Sequence, residues 1–412
     1  MSQIKPFRAF RPKADLASEV ASVPYDVINT KEARQLAQGT PNSFLHIGRP
    51  EINLPEGVDE HCDEVYAAGV QALRRFITDG VLFQDEKTCF YVYQQRMGDH
   101  VQAGLVCLCS VREYENGLIK KHEHTRKDKE DDRTRHVTEQ GANAEPVFLT
   151  YPAVPYIDEL VNKVRDAKPT YDITTADGIG HTVWVISDES VICSLTNLFG
   201  GIPALYIADG HHRTAAAIRY GQARRGAEST GTSGEESFEY FMAVVFPHNQ
   251  LRIMDYNRVV KDLNGLSSEQ FLEKVKDKFD ISPNATRTPK NLHSFGMYLG
   301  NQWYTLTAKP GTWDDKDHVK SLDVSILQDN LLNPILGIQD PRTDTRIDFI
   351  GGIRGMDELE KRVKEGSAVA FAMFPTSLTE LMSVSDAGQI MPPKSTWFEP
   401  KLRSGLLVRI YE

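Results

Sequence analysis

The run ALYIADGHHRTAAAIRYG, Ala204 to Gly221, holds the densest group of side chains able to do chemistry. An apolar stretch stops at Asp209-Gly210, His211, His212 and Arg213 follow at once, and an alanine-rich segment begins. Donors at a helix start, added to unpaired backbone N–H groups and the positive end of the helix dipole, favour an anion, most often a phosphate. Asp-Gly before a helix is also ordinary turn and cap chemistry, in which Asp accepts backbone N–H groups and Gly supplies an unusual dihedral. Three successive donors in a first helical turn make a poor core and add little capping, which turns the reading toward a ligand. Arg213 offers a bidentate phosphate contact, and the two histidines can donate to a phosphoryl oxygen.

A second group lies in KKHEHTRKDKEDDRTRH, Lys120 to His136. His122-Glu123-His124-Thr125 follows strand-like residues directly, where a rigid element could hold a catalytic carboxylate. Glu123 is the candidate acid or base. His122 and His124, at i and i+2, would share one strand face and with His211 raise a metal site, which needs three or four ligands. HEHT is not HExxH, so the zinc-protease pattern is missing. Asp128 to Arg135 reads equally well as a solvated helix laced with salt bridges.

Three further places carry candidate contacts. Asp26 in PYDVI and Asn143 with Glu145 in NAEPVF are turn-prone polar residues for which structural use is the default. MPPKSTWFEPKLRSGLL, Met391 to Leu407, gathers Lys394, Ser395, Thr396, Lys401 and Arg403 around two aromatics. Its prolines fix an extended run, either an edge strand with a basic outer face or a second anion or lid contact. No GxxxxGK[ST] loop, GxGxxG fingerprint or protein-kinase set occurs, so a phosphate site has to be built another way.

Strand and helix signals that alternate along the chain must position these residues, and they read as α/β or mixed α+β. Expected elements include a strand SFLHI (Ser43 to Ile47), a helix over Glu60 to Asp79, and a hairpin around Met97-Gly98-Asp99. Strands VFLTYP, HTVWVIS and FEYFMAVVF follow, together with the strand that ends at Asp209. The chain divides on this reading into a core over 1–261 and a C-terminal α/β unit over 262–412. GAESTGTSGEES, 226–237, reads as a flexible insertion within the core.

With 412 residues, two or three domains are expected. A net charge of −10 argues against wrapping nucleic acid, so any anion site is local. No apolar stretch reaches membrane-span length and no signal-peptide pattern opens the chain, which points to a cytoplasmic protein without a membrane partner. Five cysteines without CxxC spacing read as mostly buried thiols. Assembly into a homo-oligomer stays open.

PYDVI, KHEHTRKDKEDDR, NAEPVFLTYP, IADGHHRTAAA, LDVSILQDNLLNPILGI and MPPKSTWFEPKLRSGLL, in this order from about Pro6 to Leu407, resemble the bacterial family called domain of unknown function 1015. That family is grouped with ParB and sulfiredoxin-like proteins, which carry a Gly-x-x-Arg phosphate-binding turn at a helix start. Gly210-His211-His212-Arg213 is similar to it. The resemblance implies a ParB/sulfiredoxin-like nucleotide-binding core with a C-terminal α/β extension, in a superfamily that also holds free serine kinases. It further implies ATP or ADP with Mg²⁺, Asp209 through Arg213 on the phosphates, and Asp209 helping to hold the metal.

Together these readings give a small-molecule kinase as the expectation, most concretely one that phosphorylates free L-serine to O-phosphoserine. Glu123 and Asp209 are the catalytic candidates, and Gly210, His211, His212, Arg213, Lys394 and Ser395 the phosphate or nucleotide contacts. Asp26, His122 and Thr125 are the substrate contacts. A nucleotide-binding regulator without chemistry and a phosphoester hydrolase are the alternatives.

Overall fold

A computed structural model describes residues 2–227, 234–283 and 286–412. Half of the 226–237 insertion expected from the sequence, residues 228–233, lies outside the described residues. The chain forms two units, Met1–Leu251 with Pro400–Glu412, and Arg252–Glu399. The sequence-drawn boundary after residue 261 therefore falls inside the second unit, and the C-terminal segment belongs to the first. Local pattern could not place it, because its register is set by partners hundreds of residues earlier: Phe10 with Val408, Ser22 with Ser404, and Asn143 with Arg409.

The first unit is built on a nine-stranded mixed sheet. In chain order its strands are β1 (Ile4–Lys5), β2 (Phe90–Met97), β3 (His100–Ser110), β4 (Ile119–Lys120), β5 (Val147–Tyr151), β6 (Tyr171–Thr174), β7 (Gly180–Ile186), β8 (Leu205–Asp209) and β9 (Tyr240–Pro247). Their spatial order is β4-β8-β5-β9-β3-β2-β7-β6, with β1 beside β3. Two pairs are parallel, β4 with β8 and β5 with β9, and the remaining pairs are antiparallel.

Near-continuous Val, Leu, Ile, Phe and Cys runs in β3, β5 and β9 suit central strands covered on both faces. Their side chains, with those of the helices laid over them, make the main core of Val92, Leu105, Cys107, Leu149, Ile207, Phe241 and Val245. Gly104 sits where a Cβ would come within 2.9 Å of the Phe246 ring and of Val244, so the close approach of β3 and β9 side chains needs a glycine.

Five longer helices belong to this unit: α1 (Asp63–Thr78), α2 (Lys127–Gln140), α3 (Pro155–Arg165), α4 (Glu189–Gly200) and α5 (His211–Ala227). The strand expected over Ser43 to Ile47 is instead a helical turn, Leu45–Gly48. Phe44 and Ile47, three apart, both enter the cluster with Val20, Leu73 and Phe76, a spacing that a helical turn satisfies and a strand does not.

The second unit holds a six-stranded antiparallel sheet that includes Tyr256–Val260, Ser294–Leu299, Gln302–Ala308 and Val369–Ala372. A helix over Asp323–Leu327 runs into a wider π turn over Gln328–Leu332. All five cysteines are free thiols; Cys89, Cys107 and Cys109 are buried, and Cys193 is exposed. Among the described residues no helix is long and apolar enough to cross a membrane.

Candidate functional site

Strands β4 and β8 run parallel, with Leu205 opposite Ile119 and Tyr206 opposite Lys120. Their carboxyl ends therefore lie side by side, and the chain leaves β4 into Lys121-His122-Glu123 just where β8 ends at Asp209 and turns into α5. The carboxyl ends of parallel strands are a common place for ligands in α/β sheets. Two sequence segments nearly ninety positions apart meet here by register alone.

Gly210 makes the turn at φ +87°, and its N–H donates to Asp209 Oδ1 at 2.9 Å. The Gly210 carbonyl then accepts from the Thr214 N–H at 2.9 Å and from its hydroxyl at 3.1 Å, which starts α5. The amides of the first turn, from His211 to Arg213, precede the first intrahelical bond and face outward along the helix axis. Ala215, Ala216 and Ala217 are buried, so small side chains let the helix lie close against the sheet.

Asp209 is held among positive groups. Lys401 Nζ donates to its Oδ2 at 3.1 Å, and Arg213 Nη2 lies 3.9 Å from the same oxygen. Burial opposes ionisation here, but Lys401 and Arg213 outweigh it and hold the Asp209 carboxyl far below the usual range. A lone carboxylate with one oxygen on an N–H group and the other on an ammonium is a poor seat for Mg²⁺, which asks for several oxygen ligands. The metal role expected of Asp209 does not fit these surroundings.

Arg213 is buried. Its Nη1 donates to the Pro146 carbonyl at 2.7 Å, and Nη2 lies 3.6 Å from Asp26 Oδ2. Burial disfavours its charge; Asp26, Asp209 and Glu145 more than restore it and push the guanidinium further up. Its Nε has no hydrogen-bond partner. Arg213 thus braces the turn from inside the protein, and a small cavity is lined by Gly48, Arg133, Glu145 and Arg213 among others. Glu145 is pushed up by burial, against the pull of Arg213, and accepts from Ser404 Oγ at 3.0 Å.

On the other side of the turn His122, Glu123 and His211 come together, each with a ligand-type atom within 4.8 Å of the others. The His122 and His211 rings meet edge to face, 4.5 Å between centroids. Burial pushes His122 down to about 4, against a hydrogen bond with the Ile207 backbone and the charge of Asp209. His211 is driven well below its ordinary value by burial and by His122. Both imidazoles are neutral near pH 7. His212 Nε2 accepts from the Arg126 N–H at 3.1 Å, tying the charged segment to α5, and burial lowers its pKa too.

The remaining candidates have partners of their own. Thr125 donates to Glu130 Oε2 at 2.6 Å, and His124 is exposed. Asn143 Oδ1 accepts from the Met242 N–H, Arg409 and Tyr411, which is structural use. Lys394 and Ser395 belong to the second unit, where Ser395 Oγ donates to the Pro392 carbonyl at 2.6 Å and Arg258 donates to the Lys394 carbonyl at 3.0 Å. Arg403 donates to Thr175 Oγ1 at 3.0 Å and pairs with Asp177. Lys401 was visible only as part of a basic run; nothing local in the sequence pairs it with Asp209.

Fold and geometry define an α/β protein with an Asp-Gly turn into the start of α5 and a His/Glu cluster beside it. Residues 4–325 match the family described as protein of unknown function (DUF1015), and the chain belongs to that family. No curated protein matches. Among solved structures, a free serine kinase mutant in complex with AMP is 13% identical with TM-score 0.37, covering 73% of this chain and 92% of that one. A conserved hypothetical protein from Pyrococcus furiosus is 13% identical with TM-score 0.36, covering 74% and 95%. SbnI from Staphylococcus aureus, truncated at its C-terminus, is 12% identical with TM-score 0.40, covering 74% and 87%. Likeness at these scores carries no argument about activity.

Proposed function

We propose that the protein is a nucleotide-dependent small-molecule kinase whose acceptor is the hydroxyl of free L-serine, with ATP or ADP as donor. The observation that supports it is the meeting of Glu123 with the Asp209–Arg213 turn at the carboxyl ends of two adjacent parallel strands. Phosphoryl transfer needs an acceptor in line, charge offset on the phosphoryl oxygens and a nearby base.

On this reading the first-turn amides of α5 and His212 receive the transferred phosphoryl group, with half-buried Lys401 and buried Arg213 supplying positive field behind them. Glu123 takes the acceptor's proton as the acceptor oxygen bonds to phosphorus and the bond to the nucleotide's bridging oxygen breaks. The shortened nucleotide leaves with the electron pair. Asp26, 3.6 Å from Arg213 Nη2, is the carboxylate this reading assigns to the acceptor's ammonium.

Glu123→Gln is expected to lower turnover about 10²-fold or more with nucleotide affinity nearly unchanged. Phosphoserine formation from ATP or ADP, followed by phosphorus NMR, measures the first, and calorimetric nucleotide titration the second. Wild-type turnover in the variant contradicts the role of Glu123.

A further inference from the structure

We propose that His122, Glu123 and His211 bind one divalent transition-metal ion, of the Zn²⁺ or Co²⁺ kind, at the carboxyl ends of β4 and β8. Two imidazoles and one carboxylate, with ligand-type atoms within 4.8 Å of one another, form the set. Donors about 2.1 Å from a shared ion lie roughly 3.0–3.4 Å apart, so side-chain rotation has to close the remaining gap. His211 supplies the independent sign of a missing ligand: the residue is 8% exposed and its Nε2 has no hydrogen-bond partner. A buried polar nitrogen left unpaired is costly, and a bound ion removes that cost.

The donor chemistry selects the ion. Imidazole nitrogen suits Zn²⁺, Co²⁺ and their neighbours, whereas Mg²⁺ prefers an all-oxygen octahedron. Three protein ligands leave open positions, the arrangement of a site that also receives an exogenous oxygen. His124, which sequence spacing offered as a third ligand, is exposed, and the neighbouring Glu123 takes that place. Ligation through one carboxylate oxygen leaves Glu123 the other for an acceptor's proton. Binding of the ion stands apart from the phosphotransfer reading; its use in orienting an acceptor or phosphoryl oxygen rests on that reading.

The test is a titration of chelator-treated full-length protein with Co²⁺, read by visible absorption, with Zn²⁺ content measured after dialysis. One saturating equivalent is expected, weakened at least about 10-fold in His211→Ala and Glu123→Gln and unchanged in His124→Ala. Glu123 is only half-buried, so its variant keeps the test readable should the buried His211→Ala fail to fold. The proposal is overturned by no saturable binding up to millimolar Co²⁺, by wild-type affinity in Glu123→Gln, or by loss of binding in His124→Ala. Co²⁺ bound at this site without phosphoserine formation counts against the kinase reading alone, and phosphoserine formation by protein that binds no Co²⁺ against the metal site alone.

Discussion

Gly210 joins two requirements at one residue. Its φ of +87° is strained for any L side chain, and an added Cβ would stand 3.0 Å from Arg213 Nε. Gly210→Ala is therefore expected to destabilise the protein by about 1–3 kcal/mol and to weaken nucleotide binding, since the first-turn amides shift with the turn. Denaturant unfolding and calorimetry check both; unchanged values in each contradict the part given to this turn. At this scale the Asp209–Arg213 run was legible because a strand, an Asp-Gly turn and a helix start follow one another within the sequence. Arg213 shows where legibility stops. Its donors looked available to a ligand, yet Pro146, Asp26 and Asp209 surround it, and that burial depends on segments far away in sequence.

The elements that matter most are β4, β8, α5 and the C-terminal segment. Helix α2 is held to α5 by Arg219, which reaches Asp131 at 2.7 Å and Glu130 at 3.2 Å, so the charged run is part solvated face and part interhelical tie. The inner face of the same helix buries Asp132 and His136, which the run's composition alone did not separate from the outer one. Pro400–Glu412 supplies Lys401 to Asp209, a hydrogen bond from Gln95 Nε2 to the Lys401 carbonyl, and strand pairs with Phe10 and Asn143. A chain ending at Glu399 loses these together and leaves the half-buried Asp209 without its ammonium. Such a truncation is expected to lower the melting temperature by at least about 5 °C or to leave the first unit unfolded, by calorimetry. A truncated chain that melts like the full one contradicts the assignment of this segment to the first unit. Short strands such as β4, and the paired ends of the chain, were hidden because non-local pairing rather than local periodicity forms them.

Over the whole molecule, buried neutral imidazoles give stability a definite pH dependence. Burial lowers His122 to about 4 and His181 to about 3 from an ordinary value of 6.5, and lowers His136 and His211 as well. The unfolded chain then binds more protons than the native one between about pH 6.5 and 4, so this contribution is complete above pH 6.5 and is lost as pH falls through that window. Glu145, pushed up by burial, works in the opposite direction around and above its ordinary value. Glu113, Asp158, Asp323 and Asp329 are pushed up by burial in the same way, so the histidine contribution is read ring by ring: by imidazole NMR His122 and His181 are expected to stay neutral as pH falls from 6.5 to 5, and rings that protonate near pH 6.5 contradict their neutral burial. The most direct measurement is a crystal structure of the protein with ADP or an unreactive ATP analogue bound. The terminal phosphate is predicted at the first turn of α5, within hydrogen-bond distance of the His211–Arg213 amides and facing Glu123; a nucleotide bound away from the Asp209 turn would contradict the account.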